Sequence, residues 1–159
     1  MEGSVQQFVE RMGLLCERDG MPRGAGRLFG FLLVGDRAYS LDELTEMLQA
    51  SKASVSTNAR LLESLGLIER VSSLGDRRDF YRAGDDPWER MLRVAQGRWR
   101  DMIQLFDEAQ AALPADRAMG RERICAAGRF HRLLMDGVDG LIQQWRDIAR
   151  PPRRTDDAA

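Results

Sequence analysis

Hydrophobic positions recur at helical spacing along two short segments near the middle of the chain. The first stripe consists of Leu41, Leu44, Met47 and Leu48. Ser40 stands before it with Glu43 three residues on, the pattern of a capping box at a helix start. The second stripe consists of Val55, Ala59, Leu62 and Leu65. It follows the N-cap candidate Ser51 and stops at Gly66, so the pattern predicts two amphipathic helices joined by a short polar break.

After Gly66 the hydrophobic pattern changes to that of a β-hairpin. Residues 67–71 predict a short strand and residues 79–82 the returning strand. The turn between them, residues 74–78, carries two adjacent arginines, Arg77 and Arg78. A helix-turn-helix followed by a hairpin with a basic tip is a winged helix-turn-helix, so the predicted fold class is mainly α with a small β-wing.

The face of the second helix opposite its hydrophobic stripe is small, hydroxylic and basic. Such a face can lie against DNA, because small residues allow close approach and hydroxyls bond phosphates or base edges. The candidate DNA-binding residues are Ser51, Lys52, Ser54, Ser56, Thr57, Arg60, Arg77, Arg78 and Arg82. We expect Arg60 to face the major groove and the wing arginines to reach the backbone and minor groove. The alternative is a dimeric winged-helix adaptor that binds protein and not DNA.

Three stretches resemble the MarR superfamily of bacterial transcriptional regulators. They are residues 51–56, residues 61–70 and the wing residues 75–78. The upstream residues 20–33 are similar to the GbsR-like branch in particular, and the resemblance extends from residue 8 to about residue 86. It implies a homodimeric repressor or activator with a helix in each major groove of double-stranded DNA at a pseudo-palindromic operator. Most relatives have an arginine where this chain has Thr57. Arg60 is therefore the preferred candidate for contacting base edges in this chain.

The regions before and after the winged helix-turn-helix are predicted to form helices that pack through hydrophobic stripes. Ser4 is an N-cap candidate for a first helix, whose predicted stripe is Val5, Phe8, Met12 and Leu15. Residues 87–149 carry two heptad seams separated by Pro114, which predicts a helical hairpin for dimerisation. The first seam consists of Trp88, Leu92, Ala95, Trp99, Met102, Phe106, Ala109 and Leu113, and the second of Ile124, Ala127, His131, Leu134, Val138, Leu141, Trp145 and Ile148. The predicted domains are therefore 1–86, 87–149 and a disordered tail, 150–159.

Composition limits the classes of protein and the compartment. The 159 residues carry a net charge of −1, but residues 51–82 hold six basic and four acidic side chains. This small positive excess predicts moderate nonspecific DNA binding. The sequence has neither a stretch of membrane-spanning length nor a signal-peptide pattern, and it has only two cysteines, Cys16 and Cys125. We therefore expect a reduced, cytoplasmic protein, with a redox switch as the alternative.

Catalytic and metal-binding patterns are weak. The one histidine, His131, lies on a hydrophobic seam, and no Cys/His cluster has metal-ligand spacing, so we expect no enzyme, metal or cofactor. The glycines at 24, 26 and 30 follow no strand and precede no Gly-Lys-Ser/Thr, so they predict close helix crossing. The candidate ligand-binding residues are Trp88, Trp99 and Trp145. The GbsR-like resemblance makes choline-like cations candidate effectors, because aromatic faces bind quaternary ammonium; simple core packing is the alternative.

Overall fold

A computed structural model describes residues 2–72 and 78–149. The helices are α1 (Gly3–Arg18), α2 (Arg23–Leu33), α3 (Leu41–Leu48), α4 (Lys52–Ser64), α5 (Pro87–Ala112) and α6 (Ala118–Ala149), and the strands are β1 (Tyr39–Ser40), β2 (Ile68–Ser72) and β3 (Asp79–Ala83). The predicted mainly-α fold with a small β-wing and long C-terminal helices is confirmed. The chain divides into two compact units, Met1–Met91 and Leu92–Ala159. The predicted tail, 150–159, lies outside the described residues.

The capping signals of the helix-turn-helix are confirmed. Ser40 Oγ accepts a hydrogen bond from the Glu43 amide at 3.3 Å, and the Glu43 carboxylate accepts one from the Ser40 amide at 2.8 Å. Ser51 caps α4 by accepting from the Ser54 amide at 3.2 Å. Gly66 has a φ of 77°, the left-handed conformation in which glycine commonly follows a helix end. The exception is Gln49, which ends α3 with a φ of 49° although it is not glycine.

The sheet has three antiparallel strands in the order β1-β3-β2. The hairpin prediction found β2 and β3, in which Arg70 lies opposite Tyr81. It missed β1, which is two residues long and pairs Tyr39 with Tyr81 and Ser40 with Phe80. So short a strand has no alternation of its own to detect. The core of this first unit consists of Val9, Ala25, Leu28, Phe29, Phe31, Leu32, Leu44, Leu48, Val55, Ala59, Leu62, Leu67, Ile68 and Tyr81.

The predicted cap of α1 is wrong, and its predicted stripe, which core or dimer packing would cover, is only partly buried within the single chain. The helix buries Val9 and Gly13, whereas Phe8 is 39% exposed and Leu15 is 52% exposed. Ser4 is not the N-cap, because the helix begins at Gly3 after Glu2, which makes no side-chain capping bond. The buried face is the one that fits α2, whose glycines approach α1 closely. A Cβ at Gly26 would lie 2.7 Å from Cys16 Cβ and 2.8 Å from the Met12 carbonyl oxygen.

The second unit is an antiparallel pair of helices. Gln96 Nε2 donates to Asp139 at 2.7 Å, and further along the pair Arg132 Nη2 donates to Asp107 at 2.7 Å. The predicted second seam is only partly buried within the single chain, and its part in dimerisation stays a prediction. Val138 is buried, but Leu141 is 50% exposed and Ile148 is 73% exposed, while Ile142 is buried instead. The four-residue step to Ile142 follows the 3.6-residue period of a straight helix more closely than the three-residue step does.

No helix within residues 2–72 and 78–149 is long and apolar enough to cross a membrane.

Candidate DNA interface

α4 turns its hydrophobic stripe inward and its polar face to solvent. Val55, Ala59 and Leu62 are buried in the core of the first unit. The exposed positions are Ser51, Lys52, Ala53, Ser54, Thr57 and Arg60, and Ser56 is half-buried. The helical part of the predicted DNA-binding set therefore lies largely on the solvent side of one helix. This arrangement follows from the 3.6-residue period, because burial of one stripe exposes the opposite one.

Two cations of this face make local contacts. Lys52 Nζ lies 2.6 Å from Asp42 Oδ1, and both side chains are 62% exposed, so the pair contributes little to stability. Arg60 Nε donates to the Ser56 carbonyl oxygen at 3.4 Å, a long hydrogen bond. Both side chains project from the protein surface and remain accessible to a large anionic partner.

The described part of the wing brings Arg78 close to the start of α4. Arg78 is exposed, and its guanidinium lies 5.4 Å from the centre of the Phe80 ring. A cleft of about 210 Å³ is lined by Ser40, Leu41, Asp42, Lys52, Arg78 and Asp79. The cleft thus joins the first residue of α4 to the wing, although these residues are 26 positions apart in the sequence. Arg77 lies outside the described residues, as does most of the predicted turn.

Arg82 is held in a network of carboxylates. Its Nη2 lies 2.8 Å from Glu69 Oε1 and its Nη1 lies 3.4 Å from Asp85 Oδ1. Glu69 also accepts from Arg90 Nη1 at 3.0 Å, so it links β3 to the first turn of α5. Arg82 Nε is buried with no hydrogen-bond partner among the described residues. These contacts favour a bracing role for Arg82, and a DNA contact by this residue stays a prediction.

Two residues that shape this surface were not predicted. Asn58 lies on the buried side of α4 at 9% exposure, and its Nδ2 donates to Ser54 Oγ at 3.4 Å. Gly24 of α2 leaves room for it, because a Cβ there would lie 2.5 Å from Asn58 Nδ2. Asp42 pairs with Lys52 from another helix. The glycine in α2 was the only sequence signal of this close approach, and it does not identify the neighbouring side chain.

The three tryptophans lie at separate places in the chain. Trp88, in the first unit, packs edge-on against Phe29 with ring centres 5.8 Å apart. Trp99, in the second unit, lines a mainly apolar groove of about 210 Å³. Trp145 is half-buried on α6. The contact with Phe29 fits the packing alternative for Trp88, and a ligand-binding role for the three residues stays a prediction.

The surroundings of His131 and Cys16 favour packing over reactivity. His131 Nδ1 lies 2.8 Å from the Ala127 carbonyl oxygen, and its ring centre lies 5.3 Å from that of Phe106 and 5.6 Å from that of Phe130. Burial, with Asp19 adding to it, raises the pKa of the Cys16 thiol, which disfavours the reactive thiolate. Among the residues described, no three metal-ligating side chains come together.

Comparison with known proteins identifies the family to which the chain is similar. Residues 19–79 match the MarR family. The chain is 41% identical over 115 residues to the HTH-type transcriptional regulator MmpR5 of Mycobacterium tuberculosis (strain ATCC 25618 / H37Rv), an alignment that covers 72% of this chain and 68% of the relative. It is 31% identical over 113 residues to the HTH-type transcriptional repressor GbsR of Bacillus subtilis (strain 168), covering 69% of this chain and 60% of that protein.

A solved structure agrees in fold as well as in sequence. A crystal structure of a transcriptional regulator superimposes with a TM-score of 0.82 at 30% identity, covering 91% of this chain and 99% of the other. These relatives are named transcriptional regulators. The chain belongs to the MarR family of DNA-binding transcriptional regulators.

Proposed function

We propose that this regulator is a homodimeric repressor that binds a pseudo-palindromic operator in double-stranded DNA. The observation that carries the proposal is a cleft that is lined both by Lys52, at the start of α4, and by Arg78 of the wing. Asp42 and Asp79 line the same cleft, so a phosphate bound there would compete with Asp42 for Lys52. Arg78 and the dipole at the exposed N-terminus of α4 would add to its attraction. A phosphate bound there would fix the register of α4 in the major groove.

Different residues would then make different kinds of contact. Ser51, Ser54, Ser56 and Thr57 supply hydroxyls for phosphates or base edges, and Arg60, one turn further along the helix, is our candidate base reader. Arg77 and Arg78 would contact the backbone or the minor groove. Arg82 would act mainly by holding the wing strand, because its guanidinium is shared between Glu69 and Asp85.

Exposed apolar side chains support the dimer. On α1, Phe8, Leu14 and Leu15 are 39%, 50% and 52% exposed. On α6, the exposed apolar residues are Met119, Phe130, Leu133, Leu141 and Ile148. Large apolar side chains exposed in this number on two helices are typical of residues that an interface covers. A twofold dimer would place its recognition helices about one helical turn of DNA apart, roughly 10 bp between half-site centres.

The proposal includes repression of transcription and a response to a small ligand. GbsR is named a transcriptional repressor, and this chain is 31% identical to it over 113 residues. The aromatic side chains at Trp88, Trp99 and Trp145 could bind a choline-like cation through their ring faces. Such an effector would change DNA affinity only if it bound the DNA-competent and incompetent states unequally.

The test combines mass and DNA binding. Light scattering at micromolar concentration should give twice the 18.0 kDa chain mass. Fluorescence anisotropy with genomic fragments from around the protein's own gene should reveal one that binds far more tightly than a scrambled duplex at 150 mM salt. A purely monomeric species would exclude the dimer. Uniformly weak binding to every fragment would favour the protein-binding adaptor.

A further inference from the structure

A hydrogen bond on the inner side of the helix-turn-helix secures the turn before α4. Leu48 is the last residue of α3, and its carbonyl is one of the four that a helix leaves unsatisfied at its C-terminal end. Arg27 of α2 donates to this oxygen from Nη2 at 2.9 Å. A cation at a helix C-terminus is also favoured by the helix dipole. Arg27 therefore caps α3 from a neighbouring helix.

The same guanidinium is held from its other side by α1. Arg27 Nε donates to Glu10 Oε1 at 2.8 Å, while Arg23 Nη2 donates to Glu10 Oε2 at 3.0 Å. The hydrogen bond from Arg23 and the attraction of Arg27 lower the pKa of Glu10 against the opposing effect of burial, so Glu10 is ionised at neutral pH. The planar guanidinium can serve both partners at once because its donors point in fixed, different directions.

Gly13 of α1 makes space for this arginine. A Cβ at position 13 would lie 2.6 Å from Arg27 Cγ and 3.1 Å from the Arg23 carbonyl oxygen. The first distance is well below normal contact, and Cγ is close to the backbone, so Arg27 could not keep its position. The connection from α1 to the turn before α4 thus depends on the absence of a side chain at Gly13, on the Glu10 carboxylate and on the Arg27 guanidinium.

We propose that Arg27 is a positioning residue for DNA recognition, which fixes the turn between α3 and α4 and couples it to α1. Only Gln49, Ala50 and Ser51 separate the capped carbonyl from α4, and Gln49 already has the uncommon left-handed conformation. A shift of this turn moves Ser51 and the first residues of α4. Because α1 carries part of the proposed dimer surface, Arg27 connects that surface to the recognition helix. The role rests on the proposed DNA binding.

The test compares Arg27→Gln with Arg23→Gln. Both substitutions remove one cation from Glu10, but only the first removes the bond to the Leu48 carbonyl. We expect Arg27→Gln to weaken operator binding about tenfold, within the range for residues that act through others, and Arg23→Gln to change it less than about twofold. Amide hydrogen exchange across residues 45–52 should accelerate in Arg27→Gln only. Gly13→Ala, which changes no charge, should resemble Arg27→Gln.

Controls separate positioning from loss of stability. Affinities are measured at a temperature where the unfolding curve and light scattering show each variant folded and of wild-type mass. Equal effects of the two Gln variants, or unchanged exchange across residues 45–52 in Arg27→Gln, would overturn the role of Arg27. Failure of the wild-type protein to bind any fragment would instead overturn the proposed function, and the exchange experiment would still report on the bond itself.

Discussion

The capping box at the start of α3 should make part of the protein's stability depend on pH. Glu43 accepts hydrogen bonds from Arg37 Nη2 at 2.7 Å and from the Ser40 amide at 2.8 Å. The bond from Arg37, followed by those from Ser40, lowers the pKa of Glu43 from 4.5 to about 2. A carboxyl whose pKa falls on folding stabilises the protein above its unfolded pKa. That contribution is lost as the pH falls from about 5 to about 2.

The size of this contribution follows from the pKa and the exposure. The fall from 4.5 to about 2 corresponds to at most ~3.4 kcal/mol, at about 1.36 kcal/mol per pH unit. The Glu43 side chain is 37% exposed and its partner Arg37 is 55% exposed, so solvent screens the pair. Exposed ion pairs contribute under ~1 kcal/mol and a capping bond about as much, which gives an expected contribution of ~1 kcal/mol.

The assay is urea unfolding of the wild type and of Glu43→Gln at several pH values between 2 and 7. Glutamine is also common at this position of a capping box, so the variant removes the charge while keeping an acceptor. We expect the wild type to be more stable by ~1 kcal/mol near pH 6, with the difference vanishing towards pH 2. Arg37→Gln should remove most of the same pH dependence. A difference between the proteins that stays constant over the whole range would refute this reasoning.

Three further predictions concern the interface and the second unit. Arg60→Ala should reduce the free energy of operator binding by about 1–3 kcal/mol and relax discrimination between duplexes. Arg78→Ala should weaken binding to all duplexes and flatten the salt dependence of the affinity. Anisotropy titrations at several salt concentrations distinguish the two. Gly24→Ala should reduce operator affinity by displacing Asn58 within α4, and an unchanged affinity would exclude this coupling. His131→Leu should keep fold and DNA binding, since the ring packs against two phenylalanines; loss of binding by an intact dimer would contradict a packing role.

The sequence by itself determined the features that depend on near neighbours along the chain. The capping box of Ser40 and Glu43 and the reversal at Gly66 follow from contacts within one turn of helix. The outward face of α4 follows from helical period, because burial of Val55, Ala59 and Leu62 leaves the hydroxyls and Arg60 on the other side. These local rules were sufficient to predict the helix-turn-helix, the hairpin and the exposure of most of the polar side chains on α4.

Only the tertiary structure decided which surfaces meet. Helix α1 has two adjacent apolar faces, and the glycines of α2 select the one with Val9 and leave Phe8 exposed. Period alone cannot choose between such faces, and on α6 it does not show that Ile142 rather than Leu141 is buried within the chain. The pairs Lys52–Asp42, Arg82–Glu69 and Arg27–Glu10 join different helices or strands. Each cation has several possible partners in the sequence, and the packing of the elements determines which carboxylate lies within reach.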